Sequence, residues 1–327
     1  MVCSANSWFR IPVTGHLDLD LTLRSGQAFR WRVLDGVDLS RGRWGIAPRV
    51  PRPGRGEGAD YGEVAGQKLR YCGVIGHDAL IVSWEDGFLH VQLDPSMGYD
   101  ADRAETSVRR YFALGEDQAA MERELASKHP VLGEIIKKRP GLRILRQDPW
   151  ECLASFILSV HNNIPAIERT IEALCEMLGR PAGFGRKTYP GPHAVLSCGE
   201  AVLNSAKCGF RGRYLAATAR KIISGEVDLN GIHSLPTPAA RSELMKLPGV
   251  GRKVADCVLL FAYRRLEVFP VDVWVKRAMA RLYPETNSMP PERVAEEGER
   301  RFGRYAGLAQ EYLYWFERTG FLAKIAG

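Results

Sequence analysis

A lysine and an aspartate frame the chemistry this sequence could perform. Lys253 lies in Leu247-Pro248-Gly249-Val250-Gly251-Arg252-Lys253-Val254-Ala255-Asp256, and Asp272 follows nineteen residues later in Val271-Asp272-Val273. Pro-Gly and the second glycine mark a tight turn. Beyond it Val254, Cys257, Val258, Phe261 and Ala262 recur at helical spacing. Gly249, Val250 and Gly251 therefore place backbone N–H groups at a helix N-terminus, where an anion such as a phosphate is favoured. Lys253 falls in the first turn of that helix, off its apolar stripe. A lysine can attack an electrophilic carbon and form a Schiff base, but only as the neutral amine. Burial, cationic neighbours and a helix N-terminus all favour that neutral form. A nearby carboxylate could stabilise positive charge that develops on the atom attacked. Taken alone, the same residues also describe an ordinary glycine turn with a solvated lysine, and an aspartate that only caps its helix.

The chain around them has 327 residues, 45% hydrophobic and 25% charged, with a net charge of +7. That length allows two or three packed units. The basic balance, with a pI near 9.1, suits a polyanionic partner without proving one. The seven cysteines, Cys3, Cys72, Cys152, Cys175, Cys198, Cys208 and Cys257, form no Cys-x-x-Cys pair. Cys152, Cys175 and Cys257 sit on apolar helical faces and read as core. Neither a disulfide framework nor a zinc site is expected. No stretch is long and apolar enough to span a membrane, and Met1 to Arg10 lacks a signal-peptide core. The expectation is an intracellular protein: cytoplasm or nucleoid in a bacterium, nucleus in a eukaryote.

The elements that must position Lys253 and Asp272 follow from the pattern. Leu17, Leu19, Leu21 and Leu23 alternate with Asp18, Asp20 and Thr22, which predicts a half-buried strand. Ser25-Gly26-Gln27-Ala28-Phe29-Arg30-Trp31 then offers, at Gly26, a turn or a close backbone approach. Residues 35–67 are rich in Pro, Gly and Arg and read as an insertion, either a solvated loop or a basic arm with Trp44 as a stacking residue. Leu80–Trp84 and Phe88–Leu93 predict a hairpin turning at Asp86-Gly87. Ala104–Phe112 predicts a helix. From Met121 helical patterns dominate: a buried helix from Glu151 to Val160, a second opened by Pro165, a Gly/Pro-rich connection from Gly179 to Pro192, and a helix opened by Cys208-Gly209-Phe210-Arg211-Gly212-Arg213-Tyr214. Further helices follow from Thr237, from Asp272 as N-cap, and from Pro291. No repeat is evident, and Gly-x-Gly without a preceding strand argues against a dinucleotide fold.

Joined to the rest of the chain, the Lys253 and Asp272 motifs resemble the helix-hairpin-helix/Gly-Pro-Asp superfamily of DNA glycosylases. Ser25–Trp31, Leu145-Arg146-Gln147-Asp148-Pro149, Asn162-Asn163-Ile164, Gly209–Tyr214, Lys253–Cys257 and Tyr305-Ala306-Gly307-Leu308-Ala309-Gln310 are similar to the 8-oxoguanine DNA glycosylase family. These six motifs occur in order and cover nearly the whole chain outside 35–67. The resemblance implies an α+β fold: an N-terminal antiparallel β domain over 1–126 and a helical glycosylase domain over 127–327. It implies base excision with associated strand cleavage on duplex DNA containing oxidised guanine, by a monomer that needs no metal or organic cofactor. Lys253 would be the nucleophile and Asp272 the stabilising carboxylate. The Gly26 carbonyl would sense the proton on N7 of the oxidised base, and Gln310 would meet its Watson–Crick edge. Tyr314 and Cys257 would flank its faces. Arg211, with His161 and Asn162, would face the orphaned cytosine, and Phe210 would wedge the stack.

Three positions depart from the family. His161 replaces the asparagine that reaches the orphaned cytosine, Ala166 replaces a second cytosine-contacting arginine, and Trp274 replaces a phosphate-contacting histidine. Weaker discrimination for cytosine opposite the lesion is therefore expected. The alternatives are another oxidised-purine glycosylase of the superfamily, or a non-catalytic DNA clamp built on the same hairpin. An iron–sulfur branch would need four cysteines, and none follows Cys257. An alkylated-base enzyme usually lacks the lysine, and an Arg-rich RNA-binding module over 41–55 would explain too little of the chain.

Overall fold

Asp86 and Gly87 both take the left-handed backbone, with φ of 49° and 82°. That geometry matches the twist of the strands they join. They close the hairpin of β4 (Asp78–Glu85) and β5 (Phe88–Leu93). Leu89, Val91 and Leu93 alternate inward on β5. With β1 (Trp8–Pro12), β2 (Arg32–Val33) and β3 (Tyr71–Ile75) they form a five-stranded antiparallel sheet of order β1-β5-β4-β3-β2. The computed structural model describes residues 7–34 and 69–322. The whole 35–67 insertion, Trp44 included, lies outside the described residues.

The predicted strand at Leu17–Leu23 is instead a helix, α1 (Leu19–Arg24), capped by the Asp18 side chain. Its alternating leucines are all buried because the helix is covered on two sides. Leu21 joins the larger, helical core, whereas Leu17, Leu19 and Leu23 join the core beneath the sheet. Each buried leucine contributes roughly 1.5–3 kcal/mol, far more than the propensity differences that a strand pattern reflects.

The rest of the chain is helical, as the sequence predicts: α2 (Ala101–Tyr111), α3 (Gln118–Lys128), α4 (Pro130–Lys138), α5 (Pro149–Leu158) and α6 (Ile164–Leu178) come first. The Gly/Pro-rich connection after α6 holds a small antiparallel pair, β6 (Pro181–Gly183) and β7 (Arg186–Lys187). Then follow α7 (Pro192–Ser197), α8 (Gly199–Ser205), α9 (Arg211–Ile223), α10 (Thr237–Leu244), α11 (Arg252–Phe261), α12 (Val273–Leu282), α13 (Pro291–Phe302) and α14 (Ala306–Arg318). Cys152, Cys175 and Cys257 are buried in the helical core, and so are Met121 and Leu125 of α3. Among the described residues no helix is long and apolar enough to cross a membrane.

The turn between α10 and α11 is held from behind by a buried ion cluster. Arg241 of α10 donates from Nε to Asp256 Oδ1 of α11 at 2.5 Å and from Nη2 to Glu299 of α13 at 2.6 Å. Arg252 lies 3.4 Å from the other Asp256 oxygen. The Asp256 side chain is 1% exposed. Burial pushes its carboxyl up, and Arg241 and Arg252 oppose that shift. Removing one partner of a buried pair leaves the other uncompensated and costs about 3–5 kcal/mol. Asp256→Asn is therefore expected to lower the urea-unfolding stability by an amount of that order. A loss no larger than that of an exposed surface substitution would contradict this role.

Candidate active site

The segment at Gly26 is held in place by the side chain that follows it. Gln27 Nε2 donates to the carbonyls of Thr22 and Arg143, each at 2.9 Å, and its Oε1 accepts from Leu145 N–H at 2.8 Å. Gln147 Nε2 donates to the Gln27 carbonyl at 2.6 Å. On its other flank, buried Arg30 donates to the Lys187 carbonyl of β7 and faces Glu172 of α6 at 3.5 Å and Glu151 of α5 at 3.8 Å. Burial pushes the Glu151 carboxyl up to about 7, with Arg30 opposing. Gly26 itself has φ of 96°, which favours glycine. A Cβ added there would lie 3.0 Å from the Tyr314 hydroxyl, so Gly26 and Tyr314 are in direct contact.

Lys253 is the second residue of α11 and is half-buried. Its Nζ lies 5.1 Å from the Phe156 ring centroid. It has no ion pair or hydrogen bond among the described residues. The start of α11 has no side-chain cap, which leaves its first N–H groups facing outward. In the turn ahead of it Gly249 has φ of 79°. The Val250 N–H donates to the Leu247 carbonyl at 3.1 Å, so the Gly249 and Gly251 N–H groups are the two of this trio left without a backbone acceptor.

Asp272 caps α12. Its Oδ1 accepts from Trp274 N–H at 2.9 Å and from Val275 N–H at 2.8 Å. Both bonds fall on one oxygen, which leaves Oδ2 available for a second role. Cys257 sits one turn beyond Lys253 on α11. Burial pushes its thiol up to about 12, Lys253 pulls it down, and Asp272 and Glu311 add to the rise. From α14, Gln310 is 5% exposed and its Oε1 is buried without a hydrogen bond. Tyr314 accepts from Arg318 Nη1 at 3.3 Å.

The sequence reading did not single out Glu311, which is 2% exposed with its Oε1 buried and unbonded. Burial pushes its carboxyl up to about 8. The Ser25 hydroxyl opposes this, Asp272 adds to it, and Arg318 and Lys253 oppose it. Glu311 and Cys257 thus each lie within electrostatic reach of both Lys253 and Asp272. The available signal was a charged residue inside the apolar run Ala306–Phe316.

The second predicted group also comes together. Arg211 donates from Nε to the Val160 carbonyl at 2.5 Å and from Nη2 to the His161 carbonyl at 2.7 Å, and its guanidinium lies 4.6 Å from the Phe210 ring centroid. Asn162 is turned onto its own backbone, donating to the Leu158 carbonyl at 3.2 Å and accepting from Asn163 N–H at 3.0 Å. His161 is exposed at φ of 48°, a region where Asn and His are both enriched. Phe210 is 42% exposed.

The family model described as 8-oxoguanine DNA glycosylase, N-terminal domain, matches residues 10–153, and that of the HhH-GPD superfamily base excision DNA repair proteins matches residues 154–304. A probable N-glycosylase/DNA lyase of Methanothermobacter thermautotrophicus is 29% identical, over 97% of this chain and 98% of that one. The N-glycosylase/DNA lyase OGG1 of Arabidopsis thaliana is 27% identical, over 94% and 79%. Among solved structures, MBOgg1 in complex with a low-affinity DNA ligand superposes with a TM-score of 0.80 at 31% identity, covering 96% of each chain. The Clostridium acetobutylicum 8-oxoguanine glycosylase/lyase, bound to duplex DNA with cytosine opposite 8-oxoG, gives 0.76 at 29% identity over 93% and 92%.

The raised carboxyl of Glu311 has a measurable consequence. Between its ordinary value of 4.5 and its folded value of about 8, the folded chain holds a proton that the unfolded chain has released. Stability therefore falls as pH rises through that window. Glu311→Gln cannot ionise and escapes this loss. Its stability relative to the parent chain, read by urea unfolding, should rise from pH 5 to pH 8 and level off above. A pH-independent difference would show that the carboxyl is ionised throughout.

Proposed function

We infer that this chain, which belongs to the 8-oxoguanine DNA glycosylase family of the helix-hairpin-helix/Gly-Pro-Asp superfamily, is a base-excision repair enzyme that removes 8-oxoguanine from duplex DNA and cleaves the strand at the resulting abasic site. One observation supports this most directly. An amine without an ionic partner stands on an uncapped helix start, in one electrostatic neighbourhood with a carboxylate that keeps one oxygen unused.

The base must leave the stack before chemistry can occur. Phe210 fills the space it vacates, and Arg211, His161 and Asn162 meet the orphaned partner base. The Gly249 and Gly251 N–H groups, with Val250 between them, grip a phosphate near the lesion. The flipped base enters between Tyr314 and Cys257. There the Gly26 carbonyl accepts from N7–H, a proton that unmodified guanine lacks, and Gln310 binds the Watson–Crick edge. The mismatch of two acceptors at N7 is costly in a dry site.

The Lys253 amine then forms a bond to C1′ as the bond from C1′ to the base nitrogen breaks. Asp272 stabilises the positive charge that develops on the sugar. The ring opens as C1′ becomes an imine with Lys253. The imine draws electrons from C2′, which loses a proton, and the C3′–O bond breaks to release the 3′ phosphate. For the chain's organisation, we place the boundary between the β and helical domains just ahead of α3 rather than at 126/127, because Met121 and Leu125 of α3 lie in the helical core, with a monomer acting on the duplex in the intracellular compartment that holds its DNA.

Lys253→Gln should abolish strand scission and reduce excision by on the order of a hundredfold or more, since the nucleophile is gone. Excision by Lys253→Gln at the parental rate would contradict its role. His161 and Ala166 remove contacts that each carry about 1–3 kcal/mol of base discrimination. Single-turnover excision against all four opposite bases should therefore show only a shallow cytosine preference, and a steep one would show that other residues read the orphaned base.

A further inference from the structure

We propose that Tyr214, assisted by Thr218, is a positioning residue that sets the Phe210 wedge in register with the Gly249 turn, so that insertion into the duplex and delivery of Lys253 are mechanically one event. Phe210, Tyr214 and Thr218 are spaced four residues apart and lie on one face of α9. Phe210 stands at its N-cap and packs edge-to-face on Tyr214, with centroids 5.9 Å apart and planes at 82°. The Cβ–Cγ–Cδ2 edge of Tyr214 lies against Gly249. A Cβ there would come within 2.8 Å of Tyr214 Cδ2. One helical turn on, Thr218 is fully buried and its Oγ1 donates to the Pro248 carbonyl at 3.2 Å. Two successive residues of the turn are thus held by two successive turns of α9.

This contact chain has few alternatives. Gly249 needs its left-handed backbone and its bare Cα at the same point, because φ of 79° places Tyr214 where a side chain would be. Four residues later comes Lys253, on the helix that the turn opens. On the other side, Arg211 ties the start of α9 to the Val160 and His161 carbonyls. A push on Phe210 along the stack therefore meets a rigid helix rather than a mobile side chain, and α9 passes it to the turn through Tyr214. The ring carries this contact. The Tyr214 hydroxyl has no bond among the described residues, and Tyr214 is 38% exposed, so the residue contributes little to the core.

The inference rests on the reading of Phe210 as wedge and Lys253 as nucleophile. Its test is a double-mutant cycle on single-turnover excision of 8-oxoguanine from a duplex, with Phe210→Ala, Tyr214→Ala and the two combined. Displacement of a reacting group by about an ångström costs up to on the order of a hundredfold. Tyr214→Ala is expected to slow excision by about tenfold or more. In the Phe210→Ala background the same change should cost no more than about twofold, because both act through one contact chain. Tyr214→Phe should restore the rate. Cleavage at a preformed abasic site also requires Lys253 and should fall together with excision in Tyr214→Ala. Additive effects in the cycle, failure of Tyr214→Phe to restore the rate, or undiminished cleavage at the abasic site would overturn the coupling. Absence of excision by the unaltered chain would overturn the functional reading and the coupling with it.

Discussion

Everything at the site depends on one turn keeping one shape, and a buried carboxylate keeps it. Asp256, at the core-facing side of α11, is clamped by Arg241 of α10 and Arg252 of its own first turn. Two helices that would otherwise pivot about Gly249 are cross-braced within a few residues of it. The turn can then leave the Gly249 and Gly251 N–H groups unused and α11 uncapped, features that would cost stability in a solvated loop and that suit an anion. The rigidity is directed outward, since the same helix carries Lys253 at its exposed start and Cys257 one turn deeper.

The Gly26 segment follows the same logic with a different device. Gln27 uses both ends of its amide on backbone from α1 and from 143–145. This holds the backbone beside Gly26 in place. Opposite it, α14 presents buried groups that lack partners, Gln310 Oε1 and Glu311 Oε1. Unpaired buried polar atoms are costly, and the fold tolerates them beside Lys253 and Asp272, where a bound base would meet polar groups. Burial pushes the Glu311 carboxyl up, which favours its neutral form and lowers that cost.

Local chemistry made much of this legible in the sequence. Asp86-Gly87 forms its hairpin and Asp272 caps α12, because turns and caps are decided within four residues. The order of glycine turn, lysine and aspartate, with the surrounding motifs, points to the family. What was hidden depends on contacts from afar. The leucines of α1 alternate as a strand would, and only packing between two cores makes them a helix. The β6–β7 pair is too short to show a period. Glu311 looks like any glutamate until α1, α11, α12 and α14 close around it. Arg211 reads as an exposed base contact, yet its guanidinium holds the 160–161 carbonyls.

The central claim is that Lys253 is the atom source of the covalent intermediate. The most direct measurement is borohydride reduction of the chain on a duplex containing 8-oxoguanine, followed by protease digestion and tandem mass spectrometry of the trapped peptide. The account predicts a single sugar remnant on Lys253, with no adduct in Lys253→Gln. A remnant mapped to any other amine, or efficient excision with no trapped species at all, would contradict it.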